Sequence, residues 1–431
     1  MIDAHIVGAL LLGVFFVLMI LRVPIAIALS LSSILTLLLC GLAPAMFADI
    51  MEASVSSIAL LSIPFFIIAG NVMDQAGISG RIVRFVEAMV GSIPGGIGIV
   101  SVVVVTFWGA ISGSGPATVV ALGPVLVPLM VKSHYPAAFA GALVAAASGI
   151  AVIIPPSITF IVYGVVADGV SVGRQFAAGI LPGIIMGGCF CIYTFIYSLR
   201  HGIKGRGRCG WREKLTAFGG CFWGLLSPVI ILGGIYGGIF TPTEAAAVAA
   251  IYSLLVGVFI YKTIKGPQLI DIMISSTNGA GMILLISAGA GVMAWLVTFA
   301  GVAEVVTSLL LSVSTNPTIV VLMIFVILLI AGFFLDGISI TYLFVPLLLP
   351  TALRLGYEAT WFGVILVIAV AIGMITPPVA GNLYPAAQIS NVPLHTISRE
   401  IVGFAVTGVA AGLVMLFFPE ISVFLPNLWG L

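Results

Sequence analysis

The chain has 431 residues, 61% of them hydrophobic and only 7% charged, with a mean hydropathy of +1.33. Soluble domains carry roughly 25% charged residues, so a soluble globular enzyme is excluded. A net charge of +1 leaves too little cation to neutralise a phosphate backbone, which excludes a nucleic-acid partner.

Uncharged apolar runs of about 20 residues read as membrane helices. With only helices or closed barrels able to satisfy the backbone in lipid, the chain is expected to be an all-α polytopic membrane protein. The first run lacks a basic leader and a cleavage site, so it reads as a retained span. Spans over 5–22 and 24–42 open a segment 5–60. A short helix with Arg81, Arg84 and Glu87 at 78–90 looks interfacial. Residues 97–131 are long enough to cross but Gly-interrupted. A broken helix follows over 138–166, then a span over 175–199.

The stretch "RHGIKGRGRCGWREK" carries six of the fifteen Lys and Arg: Arg200, Lys204, Arg206, Arg208, Arg212 and Lys214. The positive-inside rule makes loop 200–214 cytoplasmic. Counting back from it places the N-terminus in the periplasm, with Arg22 inside and Asp49 and Glu52 outside. Spans 217–240 and 242–262 come next. Residues 317–353 are interrupted by a charge, 361–390 by prolines, and 401–419 form the last span. For the charges to fit, 97–131 and 317–353 must each return to the side they left, as re-entrant hairpins. The total is about ten spans plus two hairpins.

Two prolines interrupt "IIPPSITFIVYG" at Pro155 and again "MITPPVAGNLYP" at Pro377, an offset of 222. The same offset relates Pro124 to Pro346, Pro128 to Pro350 and Ser114 to Asp336. Ala76-Gly77 recurs as Ala300-Gly301, and "RVPIA" near Arg22 recurs as "FTPTEA" near Phe240. The chain thus divides into halves 1–200 and 215–431, joined by 201–214. Five spans per half is an odd number, so the second half enters from the opposite side, as in the inverted repeats of secondary transporters. Broken helices at matching places free carbonyls that suit a hard cation such as Na⁺, and amides that suit a carboxylate.

No G-x-x-x-x-G-K-[ST] occurs, which argues against an ATP-driven pump. Cys40, Cys189, Cys191, Cys209 and Cys221 form no C-x-x-C pair, so no zinc or disulfide framework is indicated. His5, His134, His201 and His395 sit at predicted span ends or in loops, which argues against a membrane haem.

Together, "SIPFFIIAGNVM", "SGSGPAT", "IIPPSITFIVYG", "AAGILPG", "PVIILGGIYGGIFTPTEAAAVA" and "ITPPVAGNLY" resemble the large membrane subunit of tripartite ATP-independent periplasmic (TRAP) transporters over nearly the full length. The resemblance implies an elevator-type carrier of organic acids in the bacterial inner membrane, driven by Na⁺ and built like members of the ion transporter superfamily. It also implies two partners. One is a periplasmic substrate-binding protein. The other is a small four-helix membrane subunit, expected here as a separate chain because nothing precedes the first span.

The expected Na⁺ ligands are Ser112, Gly113, Ser114 and Pro155 in the first half, and Asp336, Gly337, Ser339, Thr376 and Gly381 in the second. The expected substrate contacts are Ser112, Ser114, Thr118, Ser157, Thr341 and Asn382. Small residues allow sharp turns, and hydroxyls with carbonyls can ligate Na⁺, although a Gly/Ser turn also serves close packing. Asp336 lies in an apolar run with no Lys or Arg between Lys265 and Arg354, so it needs a neutraliser. A bound Na⁺ is the simplest, a proton or a distant arginine the alternatives, with Thr376, Gly381 and Asn382 as its expected neighbours. Glu244 reads as a helix-start residue, and Trp108 and Trp295 as scaffold aromatics.

The leading expectation is a Na⁺-coupled carrier. A proton-coupled carrier is the alternative, and an intramembrane enzyme or a channel fits less well. One deep carboxylate and no deep histidine make a poor catalytic pair, and a channel needs a continuous polar lining. C4-dicarboxylates and sialic acid are the expected substrate classes, with a slight lean to sialic acid from overall similarity.

Overall fold

Apolar runs punctuated by Pro and Gly become short helices with abrupt turns. A computed structural model describes residues 4–205, 207 and 209–431, with no strand among them. Arg206 and Arg208 of the basic loop lie outside the described residues.

The first half contains α1 (Ala4–Ile20), α2 (Ile25–Leu39), α3 (Ala45–Val55), a 3₁₀ turn (Ile58–Leu61), α4 (Ser62–Gln75), α5 (Ile78–Val90), α6 (Gly96–Ser112), α7 (Gly115–Lys132), α8 (Ala137–Ile150), α9 (Ile158–Val166) and α10 (Val172–Arg200). The second contains α11 (Trp211–Tyr236), α12 (Pro242–Leu255) with a π-helical end (Val256–Ile260), α13 (Gly266–Phe299), α14 (Val302–Val313), α15 (Pro317–Gly332), α16 (Gly337–Arg354), α17 (Ala359–Gly373), α18 (Leu383–Ser390), α19 (Leu394–Phe417) and α20 (Glu420–Leu428).

Matching chemistry marks matching places. Pro24 precedes α2 and Pro242 opens α12, where a missing N–H costs nothing. Gly77 and Gly301 adopt φ of 68° and 69°, a left-handed turn that ends α4 and α13 and starts α5 and α14. Both proline pairs carry a cis peptide, Pro155–Pro156 and Pro377–Pro378. Thr241 and Glu244 form a capping box at α12, in keeping with Glu244 as a helix-start residue.

Among the described residues eight helices are long and apolar enough to cross a membrane, and the chain is a multi-pass membrane protein. They include one arm of each predicted hairpin, α7 and α16. The two arms of α8 and α17 have 14 and 15 residues. At about 1.5 Å per residue each falls short of a ~30 Å hydrocarbon layer, so a broken helix needs both pieces to cross.

Some expected bounds move. The basic loop is shorter than 200–214, because Arg212 and Lys214 already ride on α11. The last long helix starts at Leu394 rather than 401, and α3, α4, α13, α14 and α20 had no expected bounds at all.

α8 and α17 form the centre, with every residue from Phe139 to Ile150 and from Thr360 to Gly373 buried. Helices apolar all round belong there. α5 buries Ile78, Ile82, Val83 and Val86 while Arg81 lies over the Tyr261 ring at 4.2 Å. Arg174 of α10 pairs with Glu358 before α17 at 3.1 Å, tying the two halves.

Candidate functional site

Each predicted hairpin is two helices joined by a tight turn, and each turn packs on a break. Gly109 and Ala151 approach so closely that a Cβ on Gly109 would lie 2.6 Å from the Ala151 Cα. In the second half a Cβ on Gly373 would lie 2.5 Å from the Gly332 backbone. Only glycine allows such contact. Gly113, at φ 61°, ends α6, and a Cβ there would meet the Pro156 carbonyl at 2.8 Å. The Val379 amide donates to the Phe333 carbonyl at 3.3 Å.

The breaks also cross between halves. α9 packs on α16, and α18 packs on α7 and α8. Asn382 is therefore beside the first turn, where its Nδ2 donates to the Ala145 carbonyl at 3.1 Å. This corrects the expectation that Asn382 sits with Asp336. The second turn meets Thr159 of the first break instead.

A cavity of about 740 Å³ receives both turns and both breaks. Of the expected site residues, Gly113, Ser114, Asp336 and Gly337 line it. Thr159 joins them from the first break and Arg22 from the turn between α1 and α2. A second cavity of about 430 Å³ flanks the first turn and is lined by Ser112, Ser114, Asn71 and Asp74.

The remaining expected residues line neither cavity. Thr118 donates to the Ser114 carbonyl at 2.7 Å and Thr341 to the Gly337 carbonyl at 2.7 Å, one helical turn back. Ser157 closes the first break by donating to the Val152 carbonyl and receiving the Phe160 amide. Thr376 donates to the Ile372 carbonyl at 2.7 Å, and Gly381 is exposed with nothing near it. Pro155 faces an apolar groove with Thr106, Ile184 and Cys191. Hydroxyls in apolar helices find local carbonyls, and this local chemistry is what the sequence pattern cannot separate from ligation.

Asp336 is half-buried and caps α16. Its carboxylate receives the Ile338 amide at 3.2 Å and the Ser339 hydroxyl. No cation pairs with it among the described residues. The matching cap of α7, Ser114, makes no side-chain bond to its helix. The two turns therefore differ in charge, one carrying a carboxylate cap and the other no side-chain cap.

Two close approaches carry the oxygens fit for a small hard cation. At the start of α7, a Cβ on Gly115 would lie 2.7 Å from Asn382 Oδ1, 3.0 Å from Asn382 Nδ2 and 3.2 Å from the Ser148 carbonyl. Asn382 Oδ1 and Ser148 Oγ are buried and have no hydrogen-bond partner among the described residues. At the start of α16, a Cβ on Gly337 would lie 2.7 Å from Thr159 Oγ1 and 3.2 Å from the Thr159 methyl and from Val370 Cγ1. Sequence reading missed Arg22, Ser148 and Thr159 as site residues. Ser148 and Thr159 were visible only as polar residues inside apolar runs.

The whole chain can be set against known proteins. Residues 12–421 match the family described as "Tripartite ATP-independent periplasmic transporter, DctM component". The chain belongs to this TRAP transporter family, as a large membrane subunit. It is 37% identical over 416 residues to the isethionate TRAP transporter permease protein DctMQ of Oleidesulfovibrio alaskensis. That alignment covers 96% of this chain but 65% of the longer relative. It is also 37% identical to the C4-dicarboxylate TRAP transporter large permease protein DctM of Vibrio cholerae, with 95% of each chain covered. Among solved structures, the YdaH transporter of Alcanivorax borkumensis shares the fold, with a TM-score of 0.64 at 13% identity over 89% of this chain and 88% of that one.

Proposed function

We propose that this TRAP large subunit carries an organic acid into the cell by Na⁺-coupled secondary transport across the inner membrane. The observation that carries the reading is the central cavity, where two matched turns and two matched breaks converge and where close-set oxygens flank both turns. Two orphaned buried oxygens cost about 1–3 kcal/mol each unless something pairs with them, and Na⁺ is a fitting partner. One Na⁺ would bind Asn382 Oδ1, Ser148 and the first turn, a second Asp336 and Thr159.

The substrate would be a small organic anion of the C4-dicarboxylate or sialic acid class. Two relatives named for isethionate and C4-dicarboxylate support the broader class of small organic anions. A periplasmic binding protein would deliver it, and a small membrane subunit would complete the scaffold. The hairpins with α8, α9, α17 and α18 would move as one body, because their backbones interlock through glycine contacts. α13, packed on α2, α3 and α4, would stay fixed, and its face against α16 would be where the moving body slides. Inverted halves would then supply the two end states.

Proteoliposomes holding both membrane subunits, with the binding protein outside, test the reading. Uptake of labelled succinate, N-acetylneuraminate or isethionate should require a Na⁺ gradient and ignore ATP. Equal uptake with K⁺ in place of Na⁺ on both sides refutes it.

A further inference from the structure

Arg22 lies outside both hairpins and both breaks, yet it lines the central cavity with Gly113, Ser114 and Asp336. Among the described residues lining that cavity it is the one cation, and Asp336 is the one carboxylate. Asp336 is engaged at the start of α16, and no ion pair links it to Arg22. The Arg22 guanidinium itself has no ion pair, hydrogen bond or ring contact among the described residues. It is exposed, so its charge reaches the cavity without a desolvation cost to overcome.

The backbone adds a second observation. Arg22 adopts φ 64°, a left-handed conformation. For a residue with a Cβ this costs about 1–2 kcal/mol, and glycine would hold the same turn at no steric cost. The fold thus carries a long cationic side chain at a position where chain geometry favours none. Ser114 lines the same cavity and makes no side-chain bond to the start of α7. The positive end of the α7 dipole therefore adds to the Arg22 charge there.

We propose that Arg22 is the counter-charge for the anionic group of the transported acid. The inference rests on the organic-acid reading above and names the group that recognises the acid. A guanidinium presents paired N–H donors that fit the oxygens of a carboxylate or a sulfonate. A bound acid would lie with its charged end toward Arg22 and the first turn, and its remainder toward the apolar wall formed by Ile283 and Ile286 of α13. The competing account is a positive charge that only orients α1 during insertion.

The test uses Arg22→Gln and Arg22→Lys in the complex of both membrane subunits. Succinate, N-acetylneuraminate and isethionate serve as probes. In the first arm, thermal unfolding is followed with each anion in detergent at constant Na⁺. In the second, uptake is measured in proteoliposomes with the binding protein in excess. Arg22→Gln should raise the anion half-saturation at least tenfold in both arms and leave unchanged the Na⁺ half-saturation of thermal stabilisation measured without anion. Arg22→Lys should stay within about threefold of the unsubstituted protein, since it keeps the charge. Unchanged anion affinity in Arg22→Gln overturns the proposal. So do equal losses in the Gln and Lys variants, a parallel shift in that anion-free Na⁺ half-saturation, or no stabilisation of the unsubstituted complex by any of the three anions. Arg22-dependent binding without uptake of any probe upholds the anion site and fails the transport reading instead.

Discussion

Asn382→Leu separates a cation ligand from a packing residue by how its effect depends on Na⁺. Leucine keeps the branched outline of asparagine but puts bulkier methyls where Oδ1 and Nδ2 stand, so it overpacks the site by about 1–3 kcal/mol. Without Na⁺ the variant loses the 3.1 Å bond from Nδ2 to the Ala145 carbonyl, worth about 1 kcal/mol. It also removes the buried Oδ1 that has no partner, which relieves about 1–3 kcal/mol. With overpacking included, the net change in choline runs from a loss of about 3 kcal/mol to a gain of about 1 kcal/mol. With Na⁺ at a hundred times its dissociation constant, the unsubstituted protein gains about 2.7 kcal/mol that the variant lacks. The stability difference between the two proteins should therefore move by about that amount in favour of the unsubstituted protein on adding Na⁺. Thermal unfolding of both proteins in detergent, in NaCl and in choline chloride, measures this. Equal stabilisation of both proteins by Na⁺ refutes the argument.

Three further outcomes follow from the same geometry. Asp336→Asn keeps an acceptor for the Ile338 amide but loses the charge, so it should raise the Na⁺ half-saturation of transport by tenfold or more with near-normal expression; an unchanged Na⁺ response would make Asp336 a helix cap alone. Gly373→Val would drive a side chain into the Gly332 backbone, where a Cβ already comes within 2.5 Å, and should cost several kcal/mol in unfolding assays by prising α15 from α17; a variant of unaltered stability would show that the two helices part easily. A bifunctional maleimide joining cysteines at Val120 of α7 and Gly279 of α13, which line one cavity, should stop transport if the hairpins move past α13; full activity with the crosslink complete would favour a local gate.

Much of this was legible in the linear chain because membrane physics leaves few choices. Scarce charges and long apolar runs dictate helices, since lipid offers no partner for an unpaired backbone. Prolines and glycines then mark where those helices stop, and the offset of 222 carries through to the helix bounds, relating Gly115–Lys132 to Gly337–Arg354. The DctM-like stretches gave the family. The members of the site were harder to read. Thr118, Ser157, Thr341 and Thr376 look like ligands in sequence, but the three threonines reach the carbonyl one helical turn back and Ser157 reaches the Val152 carbonyl across the break, so each is satisfied locally. Arg22 and Ser148 lie 91 and 33 residues from Gly113 and Gly115 along the chain, and local pattern cannot join positions so far apart. The crossing of the halves was equally hidden. Periodicity shows which face of a helix is apolar but not which helix covers it, so only the packed structure sets Asn382 against the first turn and Thr159 against the second.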